Sequence, residues 1–331
     1  SRARAGPLSA ATMSSPNPGQ PAEPHHEQRT GIIVGLTAYF VWGLLTIYWK
    51  QLHEFDAFEL IGWRITASAI VMAGVLTYTR GWQRLLTLMR DRALLLRVTA
   101  AAVLLTVNWT SYVWAVVHNH VLETALGYFI APLGTVMVGV IVLHEPLRTA
   151  QKVSLALAAA AVVVLTISYG RVPYLALAIA VSWTIYGYLK KHVPLTPAES
   201  MAAESFILVI PALVLAIALA GRAGSLPNSA TGGQLAFATL TGFATVVPLT
   251  MFAFAAKRVP LTIIGPMQYI VPSMNFLIGW LMYDEPLSAT KLFGFSLVWL
   301  GLVVLTVDSV RRARRTSASN ASAAATAAAT A

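Results

Sequence analysis

The sequence predicts an all-α integral membrane protein in which ten transmembrane helices form two inverted repeats of five. Three observations support this prediction: an apolar composition, a series of long apolar segments, and an internal similarity at a shift of 140 residues. Of the 331 residues, 57% are hydrophobic and only 11% are charged, and the mean hydropathy is +0.68. Water-soluble domains carry roughly 25% charged residues, so the composition excludes a single water-soluble core.

The apolar segments are long enough to cross a bilayer as helices. Lipid offers no hydrogen-bonding partner, so a spanning segment satisfies its own backbone groups, either as a helix of about 20 residues or within a closed barrel. The segments lack the alternating pattern of barrel strands. The predicted spans lie near 31–49, 57–78, 93–117, 122–143, 150–168, 171–189, 200–220, 234–256, 260–283 and 290–308.

Polar tails flank the ten spans. Residues 1–30 are rich in proline and lack the apolar core of a signal peptide, and residues 309–331 have low complexity. We therefore expect both tails to be disordered, with Met13 as a candidate first residue of the natural chain. The sequence contains no cysteine, which removes disulfides, thiolate nucleophiles and cysteine-based metal sites.

The distribution of Lys and Arg predicts the orientation. When the connections are assigned alternately to two sides, 18 of the 23 basic residues fall on the side of both tails and 4 on the side that carries residues 118–120. Basic residues accumulate on the cytoplasmic side of a membrane protein. We therefore expect a cell-membrane protein with both termini cytoplasmic. The net charge of +10 is an orientation signal, and no nucleic-acid partner is expected.

The internal similarity predicts two repeats of five spans, at 31–169 and 170–308. At a shift of 140 residues, YFIAP and LHEPL in the first repeat align with QYIVP (268–272) and YDEPL (283–287) in the second. Because five is odd, the second repeat enters the membrane upside down relative to the first. Inverted repeats are typical of secondary transporters, whose substrate site lies near the midplane between the two halves.

Several segments resemble one transporter family. They are AYFVWG (38–43), ELIGWR (59–64), NWTSYVWAVVHNHVLETALGYFIAPL (108–133), YGYLKK (186–191), TVVPLTMFAFAAKRVPLT (245–262) and QYIVPSMNFL (268–277). Together they are similar to the drug/metabolite transporter superfamily with tandem EamA domains, and specifically to its RarD-type permeases. The resemblance extends over nearly all of 31–308. It implies a ten-helix permease for small organic molecules and names a branch associated with chloramphenicol sensitivity, without fixing substrate or direction.

Arg64 is the strongest single candidate for a substrate site. It lies about seven residues into the second span, some 10 Å deep at ~1.5 Å per residue, where an arginine costs roughly 2.5–3.5 kcal/mol. The repeat shift places Glu204 at the equivalent position, so we expect both on a central cavity, either as partners or as binders of a polar substrate group. Snorkelling of Arg64 to an interface is the alternative.

The segment HNHVLETALGYF (118–129) is unusually polar for its surroundings. A turn between spans explains part of this, with Glu123 in the first turn of a helix, where a carboxylate complements the dipole. The turn does not explain the polar and aromatic residues of the preceding span, which share a face at helical spacing. We therefore interpret the region as the external mouth and upper wall of the pathway. The further candidate residues are Asn108, Trp109, Tyr112, Trp114, Tyr128, Gln268, Tyr269 and Asn275.

Two prolines lie at equivalent places within their spans. Pro132 and Pro272 are related by the repeat shift, and Pro248 lies in another span of the second repeat. Proline removes a backbone hydrogen bond, so we expect helix breaks or kinks there, either for gating or simply for packing. The segment GIIVG (31–35) fits a close helix contact through small residues.

We expect a secondary transporter that moves a small organic metabolite or drug-like molecule across the plasma membrane by alternating access. No Walker A, HExxH, GxSxG or nucleotide-binding motif occurs in the sequence, so no enzyme activity, cofactor or metal is expected. The expected partners are the substrate and the lipid bilayer, with a coupling proton and a second copy of the chain as further candidates. A membrane-embedded enzyme, a channel or a structural membrane component remains the alternative.

The orientation is testable because the chain has no cysteine of its own. In a Ser317→Cys variant, the new thiol should not react with a membrane-impermeant maleimide in intact cells, since the tail is expected to be cytoplasmic, and should react once the cells are permeabilised. Labelling in intact cells would reverse the predicted orientation.

Overall fold

Every regular element in the described part of the chain is helical. The computed structural model describes residues 24–142, 144, 146–256, 258–259 and 267–330. In chain order the helices are α1 (Pro24–Lys50), α2 (Ala57–Tyr78), α3 (Trp82–Leu88), α4 (Arg92–Val117), α5 (Val121–Ile141), α6 (Thr149–Tyr169), α7 (Tyr174–Lys191), α8 (Pro197–Ala220), α9 (Leu226–Ser229), α10 (Gly232–Ala256), α11 (Ile270–Leu277, continued by a π-helix over Ile278–Met282) and α12 (Ala289–Thr330).

Eight of the described helices are long and apolar enough to cross a membrane. They are α1 from Glu27, α2, α4, α5, α6, α8, α10 up to Ala255 and α12 up to Asp308. The predicted span at 171–189 corresponds to the shorter α7, which ends in two lysines. The predicted span at 260–283 corresponds in part to the short apolar segment Ile270–Met282.

Helix extends farther into both tails than expected. α1 begins at Pro24 and α12 continues to Thr330, so 24–30 and 309–330 are helical where we expected disorder, while 1–23 and 331 lie outside the described residues. The physical reason is local. Proline suits the first position of a helix because its missing N–H would be unpaired there anyway, and the C-terminal tail is rich in alanine, the strongest helix former.

Successive long helices run in opposite directions, so their connections alternate between two faces of the bundle. The 118–120 face carries the α4–α5 turn, and Gln234 at the start of α10 donates there to Glu54, just after α1, at 3.2 Å. On the opposite face, Arg148 before α6 pairs with Asp308 in α12 at 2.9 Å. Equivalent helices such as α2 and α8 therefore begin on different faces, as two inverted repeats require.

The two repeats interlock through their first helices. α7, the first helix of the second repeat, packs against α4 and α5 of the first, and α1 packs in the same way against α10 and α11 of the second. Equivalent helices also meet, α2 with α8 and α6 with α12. Each repeat therefore depends on a helix of the other to complete its core.

Glycines bring several of these helices into close contact. A Cβ on Gly242 in α10 would lie 2.6 Å from the carbonyl oxygen of Ala67 in α2, so only glycine fits that position without a shift. The GIIVG segment behaves as expected, because a Cβ on Gly31 would lie 2.7 Å from Val259 Cγ2. Small residues at these points let helices approach in the absence of a hydrophobic driving force in lipid.

The expected helix break is absent at Pro132 and at Pro248. α5 and α10 are continuous through these two residues. Beside Pro132, Thr184 Oγ1 from α7 donates to the carbonyl oxygen of Ala131 at 3.2 Å. The missing N–H of Pro132 leaves the carbonyl oxygen of Tyr128 without its helical donor. α5 nevertheless continues through this residue, as membrane helices often do at proline.

An interruption does occur beside Pro272. Residues 268–269 form a turn, and α11 begins at Ile270. Pro272 therefore lies in the first turn of a helix, where its missing N–H leaves no gap in the hydrogen bonding. The two equivalent prolines differ in structure although they match in sequence.

The close contact at Gly242 predicts that alanine destabilises the protein at this position but not at Gly74. Gly242→Ala should lower the free energy of unfolding by about 1–3 kcal/mol, the usual cost of overpacking. Gly74→Ala in α2 is the matched control, because a Cβ there meets nothing within 4 Å, and alanine should be neutral or stabilising. The measurement is denaturant unfolding of the purified protein. Equal stability of the two variants would contradict the close α2–α10 contact.

Candidate substrate-binding site

Arg64 is buried inside the bundle. α2 begins at Ala57 because the carboxylate of Asp56 caps it, accepting the N–H of Phe58 at 2.8 Å. Seven residues further along, Arg64 lies some 10 Å from the 118–120 face at ~1.5 Å per residue. Its exposed fraction is 5%, so the structure excludes snorkelling to the surface.

The Arg64 guanidinium contacts aromatic rings and a hydroxyl group. Its Cζ lies 3.9 Å from the ring centre of Trp109 and 5.5 Å from that of Trp49, and its Nε donates to Thr245 Oγ1 at 3.1 Å. Within the described residues, no carboxylate lies within 4.0 Å of it, and neither Nη1 nor Nη2 has a hydrogen-bond acceptor. A cation over an aromatic face gains about 2 kcal/mol or more when desolvated.

A buried polar network joins both repeats beside this arginine. Thr46 Oγ1 donates to Asn275 Oδ1 at 2.7 Å and lies 2.8 Å from the hydroxyl of Tyr112. Asn275 Nδ2 in turn donates to Thr124 Oγ1 at 3.3 Å. All four residues are buried. The network therefore connects α1, α4, α5 and α11 through side chains alone.

Asn108 holds a second set of contacts on α4. Its Oδ1 accepts from the hydroxyl of Tyr128 at 3.0 Å, and its Nδ2 donates to Ile179 O at 3.0 Å and to Ser182 Oγ at 3.2 Å. The rings of Tyr128 and Tyr112 contact each other, with centres 6.1 Å apart, so the two networks meet beside α4. Trp109 on the same helix contacts Arg64 directly.

Glu204 does not meet Arg64. Its carboxylate pairs with Lys190 at 2.7 Å and accepts hydrogen bonds from Tyr186 and Ser200, both at 3.2 Å. Of the two alternatives for these residues, the direct pair does not form, and the reason is the inversion itself. α2 and α8 begin at opposite faces, so equivalent residues seven positions in lie at different depths and meet only if they are near the midplane.

Glu123 and Trp114 belong to the 118–120 face rather than to the surroundings of Arg64. The Glu123 carboxylate pairs with Arg171 at 2.8 Å and accepts the N–H of Leu175 at 3.2 Å, so it caps α7. The hydrogen bond and charge of this carboxylate raise the pKa of Arg171. Trp114 stacks on His118 with ring centres 4.1 Å apart.

Two further buried carboxylates cap helices on the same face. Glu285 accepts the N–H groups of Val121 and Leu122 at the start of α5, the second at 2.8 Å. Glu59 accepts the N–H of Leu226 at the start of α9 at 2.9 Å. With Glu123, these glutamates each join one repeat to a helix N-terminus of the other. Sequence analysis missed this role, although the Glu-Pro-Leu motif marks Glu285; its equivalent, Glu145, lies outside the described residues.

The remaining candidates lie at the interruption before α11. Gln268 and Tyr269 are half-buried, and Tyr269 packs against an apolar cluster that includes Phe129 and Phe295. The structure does not place them in contact with Arg64.

Sequence analysis also missed Trp49 and Thr245. Trp49 is 1% exposed, and its indole Nε1 has no hydrogen-bond partner in the described part of the chain. A tryptophan beside a lysine at the end of a span is typical of an interfacial anchor, and no sequence signal distinguishes it from a residue that faces the interior. Thr245 lies in the quoted segment TVVPLT, but polar residues in spans often make only local bonds.

A separate apolar groove lies between α2, α4 and α8. Its volume is about 400 Å³, and its lining includes Phe58, Ile65, Thr110 and Pro211. None of the predicted site residues lines it. The groove is therefore distinct from the arrangement around Arg64.

Comparison with known proteins identifies the family. The model of the EamA-like transporter family matches residues 29–167 and again 171–307. The chain is 41% identical to Protein RarD of Streptomyces exfoliatus over 88% of this chain and 93% of that protein. It is 36% identical to the uncharacterized transporter YojE of Bacillus subtilis, over 89% and 99% of the two chains. For Protein RarD of Escherichia coli the identity is 32%, over 88% and 98%.

A solved crystal structure supports the fold independently. It covers 86% of this chain and 98% of its own, with a TM-score of 0.52 at 19% identity, and at that identity the likeness concerns the fold alone. The two family matches, at 29–167 and 171–307, overlap the two repeats that the 140-residue shift predicts, at 31–169 and 170–308. With both halves matched and relatives aligned over nearly their whole length, the chain belongs to the EamA-like transporter family and is most closely described as a RarD-type permease.

Proposed function

We propose that the protein is a secondary transporter that moves a small organic molecule by alternating access, with the surroundings of Arg64 as its substrate site. The observation that carries the proposal is a buried cation, enclosed by helices of both repeats, that no described carboxylate neutralises. Charged residues inside membrane spans are rare and usually mark a substrate or ion pathway. In inverted-repeat transporters the substrate site lies between the halves.

The membrane arrangement that fits this function has ten spans. The eight long apolar helices supply eight, and we assign the other two to α7 and to the segment that ends with Ile270–Met282. Following the distribution of basic residues, we place the protein in the plasma membrane with both termini cytoplasmic. The 118–120 face is then external.

Several contacts support a conformation that is closed toward the 118–120 face. Glu285 holds the start of α5, and a Cβ on Gly279 in the π-helix would lie 3.2 Å from Val121 Cβ. Lys50 at the end of α1 donates to Val116 O at 3.2 Å and lies over the ring of Tyr283 at 5.0 Å. Release of these contacts would open a path from that face to Arg64, which is the external half of an alternating-access cycle.

The polar side chains between this gate and Arg64 form the proposed pathway wall. Asn108, Tyr112, Tyr128 and Asn275 offer hydroxyl and amide groups, and Trp109 offers an aromatic face. Tyrosine, tryptophan and asparagine side chains bind substrates with both polar and apolar parts. Glu204, near the opposite face, and Glu123 are the candidate sites for a coupling proton.

Two other classes of function fit the structure less well. A membrane-embedded enzyme needs clustered acid–base or metal-binding groups, and the described residues contain no group of three or more potential metal ligands. A channel needs a continuous water path, whereas the side chains around Arg64 are packed and buried. The family matches point in the same direction, since relatives are named as transporters.

Counterflow in proteoliposomes tests the proposed function. Purified protein is reconstituted, and a panel of labelled small organic molecules is screened for uptake with and without an excess of the same unlabelled compound inside. A carrier gives faster uptake when the vesicles are preloaded, because return of the empty site is then avoided. Protein-free vesicles are the control. Uptake without this acceleration indicates a channel, and chemical conversion of a compound indicates an enzyme; either result would refute the proposal.

The glutamate that holds α5 should control opening of the 118–120 face. In a Glu285→Gln variant that also carries Ala115→Cys on α4, an impermeant maleimide should react about tenfold faster than with Ala115→Cys alone, since a hydrogen bond to a charged group contributes roughly 1.5–3 kcal/mol.

Glu54→Gln is the matched control for that experiment, because Glu54 is an exposed carboxylate on the same face. It should leave the reaction rate unchanged. If Glu285→Gln also leaves the rate unchanged, the contact between Glu285 and α5 is not a gate.

A further inference from the structure

We infer that the surroundings of Arg64 bind the carboxylate of a small monoanionic substrate with a planar apolar body. The inference rests on the proposed function and adds the chemical class of the substrate. Its basis is the set of hydrogen-bond donors that this buried group leaves unmatched.

The first observation is the unmatched donors of Arg64 itself. A guanidinium carries five N–H donors in a planar fork, and here only Nε is used, toward Thr245. The Nη1 and Nη2 groups face no acceptor among the described residues, although the side chain is 5% exposed. A guanidinium inside the bundle that keeps free N–H groups can bind an acceptor from outside the chain.

The second observation is independent of the first and concerns Trp49. Its ring centre lies 5.5 Å from Arg64 Cζ, and its indole N–H is a buried donor without a partner in the described part of the chain. An indole nitrogen only donates. Two neighbouring side chains therefore both lack an acceptor, and a carboxylate is acceptor-only, with two oxygens that match the guanidinium fork.

Because Arg64 supplies a single positive charge, the site favours a substrate with one negative charge. Arg64 is the cation in contact with the rings of Trp109 and Trp49. The described basic residues nearest to it in sequence are Lys50, which ends α1, and Arg80, which is exposed. Lys50 is engaged by Val116 and Asn119. One cation neutralises one negative charge, so a phosphate dianion or a dicarboxylate would bring a second charge into the bundle at considerable cost.

The aromatic side chains near Arg64 favour a flat apolar group as the body of the substrate. Trp109 lies face-on to the guanidinium at 3.9 Å, and Tyr112 and Tyr128 contact each other with ring centres 6.1 Å apart. Flat apolar groups pack against such rings in offset or edge-to-face geometry. A carboxylate attached to an aromatic or similarly planar body fits both parts.

The test compares phenylacetate with phenylacetamide, a neutral molecule of nearly the same shape. Purified protein in lipid nanodiscs is titrated with each, and binding is followed by tryptophan fluorescence and by the melting temperature, which rises with a ligand that binds the folded state. Phenylacetate should saturate the wild type at millimolar or lower concentration and bind at least tenfold more tightly than phenylacetamide. Equal affinities, or no phenylacetate binding at millimolar concentration, would overturn the inference.

Variants locate the site. Arg64→Gln should bind the two compounds equally, and Arg64→Lys should recover part of the preference because it keeps the charge. Trp49→Phe keeps an aromatic face but removes the N–H, and should weaken phenylacetate more than phenylacetamide. Arg222→Gln removes an exposed arginine near the 118–120 face and should bind like the wild type. A preference for phenylacetate that survives in Arg64→Gln would place the anion elsewhere and overturn the inference.

The melting temperature of the Arg64→Gln variant shows whether Arg64 stabilises the fold. Because no described carboxylate pairs with Arg64, removal of the charge leaves no buried counter-charge without a partner, and the variant should melt at or above the wild-type temperature. A lowered melting temperature would show that Arg64 is structural. Counterflow then separates the two proposals. Transport of neutral compounds without a preference for carboxylates would refute the anion site alone. Binding of phenylacetate that depends on Arg64, without counterflow of any compound, would refute the transport function alone.

Discussion

A guanidinium group inside a membrane must be stabilised by protein, because lipid offers neither water nor counter-charge. Around Arg64 this stabilisation comes from the faces of Trp49 and Trp109 and from one hydroxyl, that of Thr245. These groups belong to α1, α4 and α10, so a single charge on α2 requires four helices from both repeats to meet. Aromatic faces stabilise the cation without using its remaining donors, which leaves the guanidinium both tolerated in the bundle and able to bind an anion.

The interlocking of the repeats brings these four helices together. α1 packs against α10 and α11, and α7 packs against α4 and α5, so each first helix completes the half to which it does not belong. The carboxylates of Glu59, Glu123 and Glu285 reinforce this exchange, because each caps a helix N-terminus of the other repeat. A helix N-terminus carries a partial positive charge and unpaired N–H groups that stabilise a buried carboxylate, and Glu123 pairs in addition with Arg171. In the proposed alternating-access cycle, such contacts form and break as units.

The polar residues divide into two groups by depth. Those at the 118–120 face, including Glu285 and Lys50, hold helix ends together and form the proposed gate. Those deeper in the bundle, including Asn275 and Asn108, form side-chain networks around Arg64. The segment at 118–129, whose polarity first distinguished it from its surroundings, contributes to both. His118 and Glu123 belong to the face, whereas Tyr128 at its end reaches Asn108 in the interior.

The sequence by itself determined the fold class, the repeats and the family, because composition, hydropathy and the 140-residue shift are properties of the chain that do not depend on packing. It also predicted Arg64 as the central residue, since the cost of a charge at that depth can be estimated from position alone.

Only the tertiary structure decided its partners. Sequence symmetry suggested Glu204, but inversion places the two residues at different depths, and Lys190 neutralises Glu204 instead. A tryptophan beside a lysine at the end of a span is a common sequence pattern, and the contact of Trp49 with Arg64 and its unpaired N–H depend on the packing of α1 beside α2. Pro132 and Pro272 match in sequence but differ in structure, because Pro132 lies inside α5 whereas Pro272 lies in the first turn of α11. Contacts between helices distant in sequence decide such details, and no local pattern encodes them.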